Sequence, residues 1–160
     1  MKATLKTALQ EQFLAEYESS YIYLAMAAYF DQAGFSGLAN WMKQQAREEL
    51  AHAMKYYDYL ISQRETVTFG SISAPKATWK SVKGVFEDAY KHEQKITASI
   101  GKLADLALEQ KDHATYAFLQ WFVTEQTEEE NQVEQILHKL SLAGDNPVGV
   151  LMLDKELGSR

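Results

Sequence analysis

Glu49 and His52 stand three residues apart, a spacing that on a helix turns both side chains to one face and lets them reach a single metal ion. One such pair is common and proves little. What matters is its company: Glu16, Glu93 and Gln126 each interrupt an otherwise apolar pattern, and Glu129 follows Gln126 by one turn. The chain has no cysteine, which excludes disulfides, zinc fingers, iron–sulfur clusters and thiol nucleophiles. A metal here must be held by carboxylate, imidazole, amide or water. One imidazole among several oxygens disfavours structural zinc and copper and suits iron or manganese.

These residues need helices to bring them together. Apolar side chains recur in steps of three and four along four segments. The first reads Leu5, Leu9, Phe13, Glu16, Ser20, Tyr23, Ala27, Phe30; the second Leu38, Met42, Gln45, Glu49, His52, Tyr56. The third reads Val82, Phe86, Ala89, Glu93, Ile96, Ile100, Leu103, Ala107; the fourth Leu119, Phe122, Gln126, Glu129, Val133, Ile136, Leu140. The polar interruption falls near the middle of every stripe. In an up-down bundle the midpoints share one level, so Glu16, Glu49, His52, Glu93 and Gln126 are expected to converge. A buried unpaired carboxylate costs several kcal/mol, several together repel, and a bound cation removes both penalties. On this geometry one ion is expected on Glu16, Glu49 and His52. A second shares Glu49 and takes Glu93 and, weakly, Gln126.

Glycine and proline punctuate the chain into an all-α, single-domain pattern with helices at about 4–32, 37–64, 81–110, 112–143 and 148–157. Ser81 and Asp112 are the expected N-caps of the third and fourth helices, and Gly144 the left-handed stop of the fourth. Short turns make the first pair of helices antiparallel, and likewise the second pair. The linker TVTFGSISAPKATWK is about 15 residues and reaches roughly 50 Å when extended. A helix of about 28 residues spans only roughly 42 Å. The linker therefore crosses the whole bundle and leaves the second and third helices parallel.

Composition limits the rest. Of the 160 residues 46% are hydrophobic, enough for one continuous core. The net charge of −6 argues against nucleic acid as a partner. No apolar run is long enough for a membrane span, and MKATLKTALQEQF lacks the core of a signal peptide, so the expected location is cytoplasmic.

The runs EELAH (Glu48 to His52), YKHEQ (Tyr90 to Gln94), LQWFVTEQTEEE (Leu119 to Glu130), KLSLAG (Lys139 to Gly144) and DKEL (Asp154 to Leu157) resemble bacterial non-haem ferritins over essentially the whole chain. The resemblance implies iron storage, with ferroxidase activity: Fe(II) oxidised by O2 inside the bundle and stored as Fe(III) mineral. It matches Glu16, Glu49, His52, Glu93 and Gln126 to the paired iron site, and Glu48, Glu125, Glu128 and Glu129 to a third iron site. It matches Tyr23 to an auxiliary tyrosine that hydrogen-bonds a ligand or donates an electron; a core aromatic with a satisfied hydroxyl is the equal alternative. Helix four lacks the second Glu-x-x-His of bacterioferritins, and Leu50 stands where their haem-ligating Met follows the bridging Glu, so no haem is expected.

The apolar tail Val148 to Leu153 follows a complete bundle and needs cover. The resemblance implies that it packs around a fourfold axis of a 24-subunit homo-oligomeric cage. Beyond Asp112 the start of helix four is poor in acid, unlike the threefold iron channel of animal ferritins. Two other readings fit the stripes alone: a di-iron or di-manganese oxidase or peroxidase without storage, and a structural bundle with buried polar networks.

Overall fold

The computed structural model describes residues 1–160. Five helices follow in order: α1 (Ala3–Ala33), α2 (Ser36–Ser62), α3 (Val82–Glu109), α4 (His113–Ala143) and α5 (Pro147–Leu157). Each lies within two residues of its expected bounds, and there is no strand.

Side-chain pairs give the directions. Between α1 and α2 they run Phe30–Phe35, Tyr23–Trp41, Ser20–Ala46 and Phe13–Tyr57. One number falls as the other rises, so these helices are antiparallel. The same holds for α1 and α3 through Phe30–Phe86, Tyr23–Glu93, Gln12–Ser99 and Thr4–Gln110. It holds for α2 and α4 through Gln45–Glu129, His52–Trp121 and Tyr59–Thr115. Both α2 and α3 oppose α1, so they are parallel, as the long linker requires.

That linker, residues 63–81, has no regular secondary structure. Side-chain contacts strap it along the bundle. Thr68 Oγ1 donates to Gln10 Oε1 at 2.5 Å, the Ser73 N–H donates to Glu18 Oε1 at 3.2 Å, and Trp79 Nε1 and Lys76 Nζ both donate to Asp88 Oδ2 at 2.8 Å.

The helix starts follow the expected chemistry. Ser81 Oγ accepts from the Gly84 N–H at 3.0 Å, Asp112 Oδ1 from the Thr115 N–H at 3.0 Å, and Asn146 Oδ1 from the Val148 N–H at 3.0 Å, with Pro147 opening α5. The stops follow a less visible rule. Gly34, Arg64 and Lys111 all take positive φ (85, 61 and 57°), and the next residue's N–H closes back five positions, Phe35 to Phe30, Glu65 to Leu60 and Asp112 to Ala107. The second helix therefore ends at Ser62, short of the expected Arg64. Gly144 has φ 57° with ψ −135°, a glycine conformation but not the left-handed helical stop expected of it.

The core is two hydrophobic clusters. One holds Tyr23, Phe30, Leu38, Met42, Phe86, Val133 and their neighbours; the other holds Leu5, Leu9, Phe13, Tyr56, Ile100, Leu119, Phe122 and theirs. A layer of buried polar side chains separates them. No helix is long and apolar enough to cross a membrane.

Helix α5 docks against α2 and α4. Asp154 is its anchor: its carboxylate Oδ1 accepts from the Leu38 N–H at 2.8 Å, and its carbonyl lies so close to Gly37 that a Cβ there would stand 1.7 Å from the oxygen. Gly37→Ala is expected to destabilise the chain by about 1–3 kcal/mol, the usual range for overpacking, or to undock α5. Gly101→Ala, with open space around the new Cβ, should stabilise α3 by up to about 1 kcal/mol. Denaturant unfolding, with amide exchange across 147–157, checks the pair; equal behaviour of the two variants refutes this docking.

Candidate metal centre

The layer between the two clusters contains the residues that the stripes single out. Glu16, Glu49, His52, Glu93, Gln126 and Glu129 are all buried, together with Gln12, Ser19 and Gln45. Four helices supply them, each near its midpoint, because each apolar stripe is interrupted there by ionisable or amide side chains.

Ligand atoms of Glu16, Glu49 and His52 lie within 4.8 Å of one another. A second group with the same mutual reach is His52, Glu125 and Glu129. His52 stands between them, its Nδ1 at 3.2 Å from Glu49 Oε2 and its Nε2 at 3.9 Å from Glu125 Oε1. Glu93 of α3 lies near enough to act on the charges of Glu16 and Glu49, but it and Gln126 stand outside that group. Its Oε1 accepts from the Tyr23 hydroxyl and its Oε2 from Gln126 Nε2 at 3.1 Å. The Gln126 amide also reaches Thr97 Oγ1 at 3.2 Å. Glu125 is half-buried, Glu128 is exposed, and Glu48 is turned to the Arg160 guanidinium. Of the four residues matched to a third site, Glu125 and Glu129 therefore meet at a common point, while Glu48 and Glu128 stand outside that group.

Sequence reasoning passed over a supporting ring. Gln12 Nε2 donates to Glu16 Oε1 at 2.8 Å, and Ser99 Oγ donates to Gln12 Oε1 at 2.6 Å. Gln45 Nε2 donates to Glu129 Oε2 at 2.7 Å. Gln12 and Gln45 each precede a ligand candidate, Glu16 and Glu49, by one turn on the same face, so the signal was a polar interruption two residues long instead of one. On α1 the stripe ran through Ser20, but the fully buried serine is Ser19, whose Oγ lies 2.7 Å from His92 Nε2. Ser20 is half-buried and donates to the Ala46 carbonyl at 2.7 Å.

Electrostatics show what the layer lacks. Burial pushes the Glu16 carboxyl up to about 7, against bonds from its neighbours that favour the charged form. Burial, then the Glu93 charge, pushes Glu129 up to about 8. Glu49 is driven well above the carboxylate range by burial and by Glu93, Glu16 and Glu129; burial also raises Glu93. His52 is pushed down to about 4 by burial and by the Lys55 charge, so near neutral pH its imidazole is uncharged and keeps a lone pair for a metal. Glu16 Oε2 is buried with no hydrogen-bond partner at all. Like charges held together, a neutral imidazole and an orphaned carboxylate oxygen fit a site built for a hard cation.

The fold and this layer define a class of protein, the four-helix bundle with carboxylates gathered between its helices. The ferritin-like domain signature matches residues 6–143. The chain is 38% identical over 160 residues to the bacterial non-heme ferritin of Staphylococcus aureus strain USA300, covering 100% of this chain and 96% of that one. It is 41% identical over 156 residues to the bacterial non-heme ferritin of Staphylococcus haemolyticus, covering 98% and 94%. Among solved structures, the open pore ferritin of Archaeoglobus fulgidus superposes with a TM-score of 0.99 at 42% identity, over 100% of this chain and 99% of that one. This chain belongs to the ferritin family.

The raised carboxyls carry a stability consequence. Their folded values exceed the unfolded value of 4.5, so the native metal-free chain binds more protons than the unfolded one near neutrality. The stability they contribute is complete below about pH 4.5 and is lost as pH rises through about 7 to 8. The melting temperature of metal-free protein is expected to fall between about pH 5 and about pH 8. Saturating Co(II) should flatten that slope and release protons, measurable by calorimetry in buffers of different ionisation enthalpy. A metal-free melting temperature that rises steadily to pH 8 refutes it.

Proposed function

We propose that this chain is an iron-storing ferroxidase subunit. The observation that carries the reading is the close approach of Glu16, Glu49 and His52 in a water-poor layer, with Glu93 held beside them. Full-length similarity to bacterial non-heme ferritins supports it.

In this reading Fe(II) is the substrate. One ion takes Glu16, Glu49 and the neutral imidazole of His52. A second shares Glu49 and takes Glu93, with Gln126 as a weak amide ligand. Entry of the ions displaces the protons that burial keeps on these carboxyls. Each Fe(II) gives up one electron; O2 accepts both, with two protons, and reaches the level of hydrogen peroxide. Tyr23 donates its hydroxyl hydrogen bond to the Glu93 oxygen that Gln126 does not hold, and so orients that ligand as an auxiliary residue. Fe(III) then hydrolyses water, releases protons and leaves by way of Glu129, Glu125, Glu128 and Glu48, the third site of this reading. It accumulates as a ferric oxyhydroxide mineral. The bundle contributes geometry and charge, and iron carries the redox chemistry.

Storage needs an enclosed volume, hence assembly. The outward side of α5 leaves Val148, Leu151 and Met152 exposed at 60%, 57% and 69%. Apolar side chains set together like this mark an interface. The resemblance to bacterial ferritins implies a cage of 24 such subunits.

Stepwise addition of Fe(II) to metal-free protein in air is expected to give a fast absorbance change that breaks at two or three irons per chain. Slower uptake that stays soluble follows. His52→Ala should abolish the fast phase. Fast oxidation without soluble retention points to a non-storing oxidase; no fast phase in the parent protein defeats the ferroxidase reading.

Met152→Asp, which puts a charge on the α5 face, is expected to shift sedimentation from the closed shell toward smaller species while leaving the helical circular dichroism unchanged. Unaltered sedimentation would mean that α5 does not cover itself with copies of this chain.

A further inference from the structure

The segment after α5 runs back along one face of α2. Gly158 lies against Gly37, where a Cβ on Gly158 would stand 3.0 Å from the Gly37 Cα. Asn40 Nδ2 donates to the Arg160 carbonyl at 3.5 Å. The Arg160 guanidinium lies 5.2 Å from the centroid of the Trp41 ring, donates through Nη1 to Gln45 Oε1, and through Nη2 to Glu48 Oε2 at 2.6 Å. Residues 37, 41, 45 and 48 are successive turns of one helical face, and the next ligand candidate along α2 is Glu49.

We propose that Arg160 is a displaceable counter-cation of the third carboxylate site: its guanidinium occupies the Glu48 arm, and a metal ion recruits Glu48 only by pushing it away. The inference rests on the reading that Glu48, Glu125 and Glu129 take a metal.

Three features make the contact more than a surface ion pair. The planar fork spans two acceptors at once, a carboxylate and an amide, which a lysine cannot reproduce. The ring of Trp41 holds the guanidinium from its face. The amide it grips is the one that donates to Glu129 Oε2 at 2.7 Å, so Arg160 also sets which end of Gln45 faces the buried carboxylate. Arg160 is thus a positioning residue for Glu129 as well as an occupant of Glu48. The result is a divided ligand set: Glu125 and Glu129 already converge with His52, while Glu48 is engaged by a cation of the chain itself. An ion that leaves the paired site meets Glu129 and Glu125 first. It gains Glu48 only in exchange for the guanidinium, which keeps the third site weaker than its carboxylate count suggests.

Calorimetric titration of the assembled full chain with Co(II), without oxygen, tests this free of any turnover. Arg160→Ala is expected to tighten the weaker class of sites by about fivefold, the scale of one partly exposed ion pair, and to leave the tight class unchanged. Arg160→Lys should fall between the two. In a Glu48→Gln background Arg160→Ala should no longer tighten those sites, because the arm it would free carries no charge. Identical isotherms for parent and Arg160→Ala overturn the inference and leave the iron reading standing. An equal tightening in the Glu48→Gln background also overturns it, because the guanidinium then acts through its general field. Absence of saturable Co(II) binding in every variant defeats the metal reading itself, and this inference with it.

Discussion

Everything in this bundle answers to one electrostatic constraint: four carboxyls, Glu16, Glu49, Glu93 and Glu129, are held out of water at the level where four helices are closest to their midpoints. Left charged and unpaired they would repel and lose their hydration. The metal-free chain meets the constraint with protons and with donated hydrogen bonds from Gln12, Gln45, Gln126 and Tyr23. A cation meets it better, since it neutralises several carboxylates at once and uses the lone pairs that hydrogen bonds leave idle, Glu16 Oε2 among them. Under the iron reading, protons and metal ions would compete for the same oxygens, and the stability of the metal-free fold would be coupled to its capacity to bind.

The rest of the architecture makes the constraint bearable. The polar layer is confined between two apolar clusters, whose burial offsets its cost and whose packed aromatics, such as Tyr56 stacked on Phe122 at 4.3 Å, exclude water from it. The linker that straps the bundle leaves α2 parallel to α3 and antiparallel to α4. That arrangement sets the Glu-Glu-x-x-His turn of α2 opposite the Glu-Gln-x-x-Glu turn of α4. The two ends of the layer are consequently unequal. The α1–α2 side has two carboxylates and an imidazole within mutual reach, whereas on the α3–α4 side Glu93 is already engaged by the Gln126 amide and Glu129 belongs to a separate group with Glu125 and His52.

Most of this was legible because periodic burial is a strong signal and a charged residue within it is a loud exception. Glu16, Glu49, His52, Glu93 and Gln126 could be read from their places in four stripes, and Ser81 and Asp112 from the chemistry of a capping oxygen. What stayed hidden depends on the partner rather than on the residue. Arg64 and Lys111 take positive φ at helix ends, though neither type favours it, because the closing backbone bond and the change of direction outweigh the local strain. Ser19 rather than Ser20 is fully buried because His92 of α3 waits there to bond it, a contact 73 positions away. Gln45 stood in its stripe without an assigned role and Gln12 stood outside one; each is fixed by a long-range donor, Ser99 or Arg160, that no local window contains.

Gly37 shows how far one small residue can join separate parts of the molecule. Read as punctuation at the start of the second helix, it is in fact a contact: without a side chain it lets the Asp154 carbonyl approach where a Cβ would stand 1.7 Å from the oxygen. That approach sets the position of α5, and α5 does two things at once. Its outer side presents Val148, Leu151 and Met152, while the residues after it run along α2 to Glu48 and Gln45. One glycine contact and one turn of chain thus connect the docking of α5 to the carboxylates beside the buried layer. The exposed apolar side belongs to the eleven-residue helix itself, and the arm that reaches Glu48 and Gln45 begins directly after it.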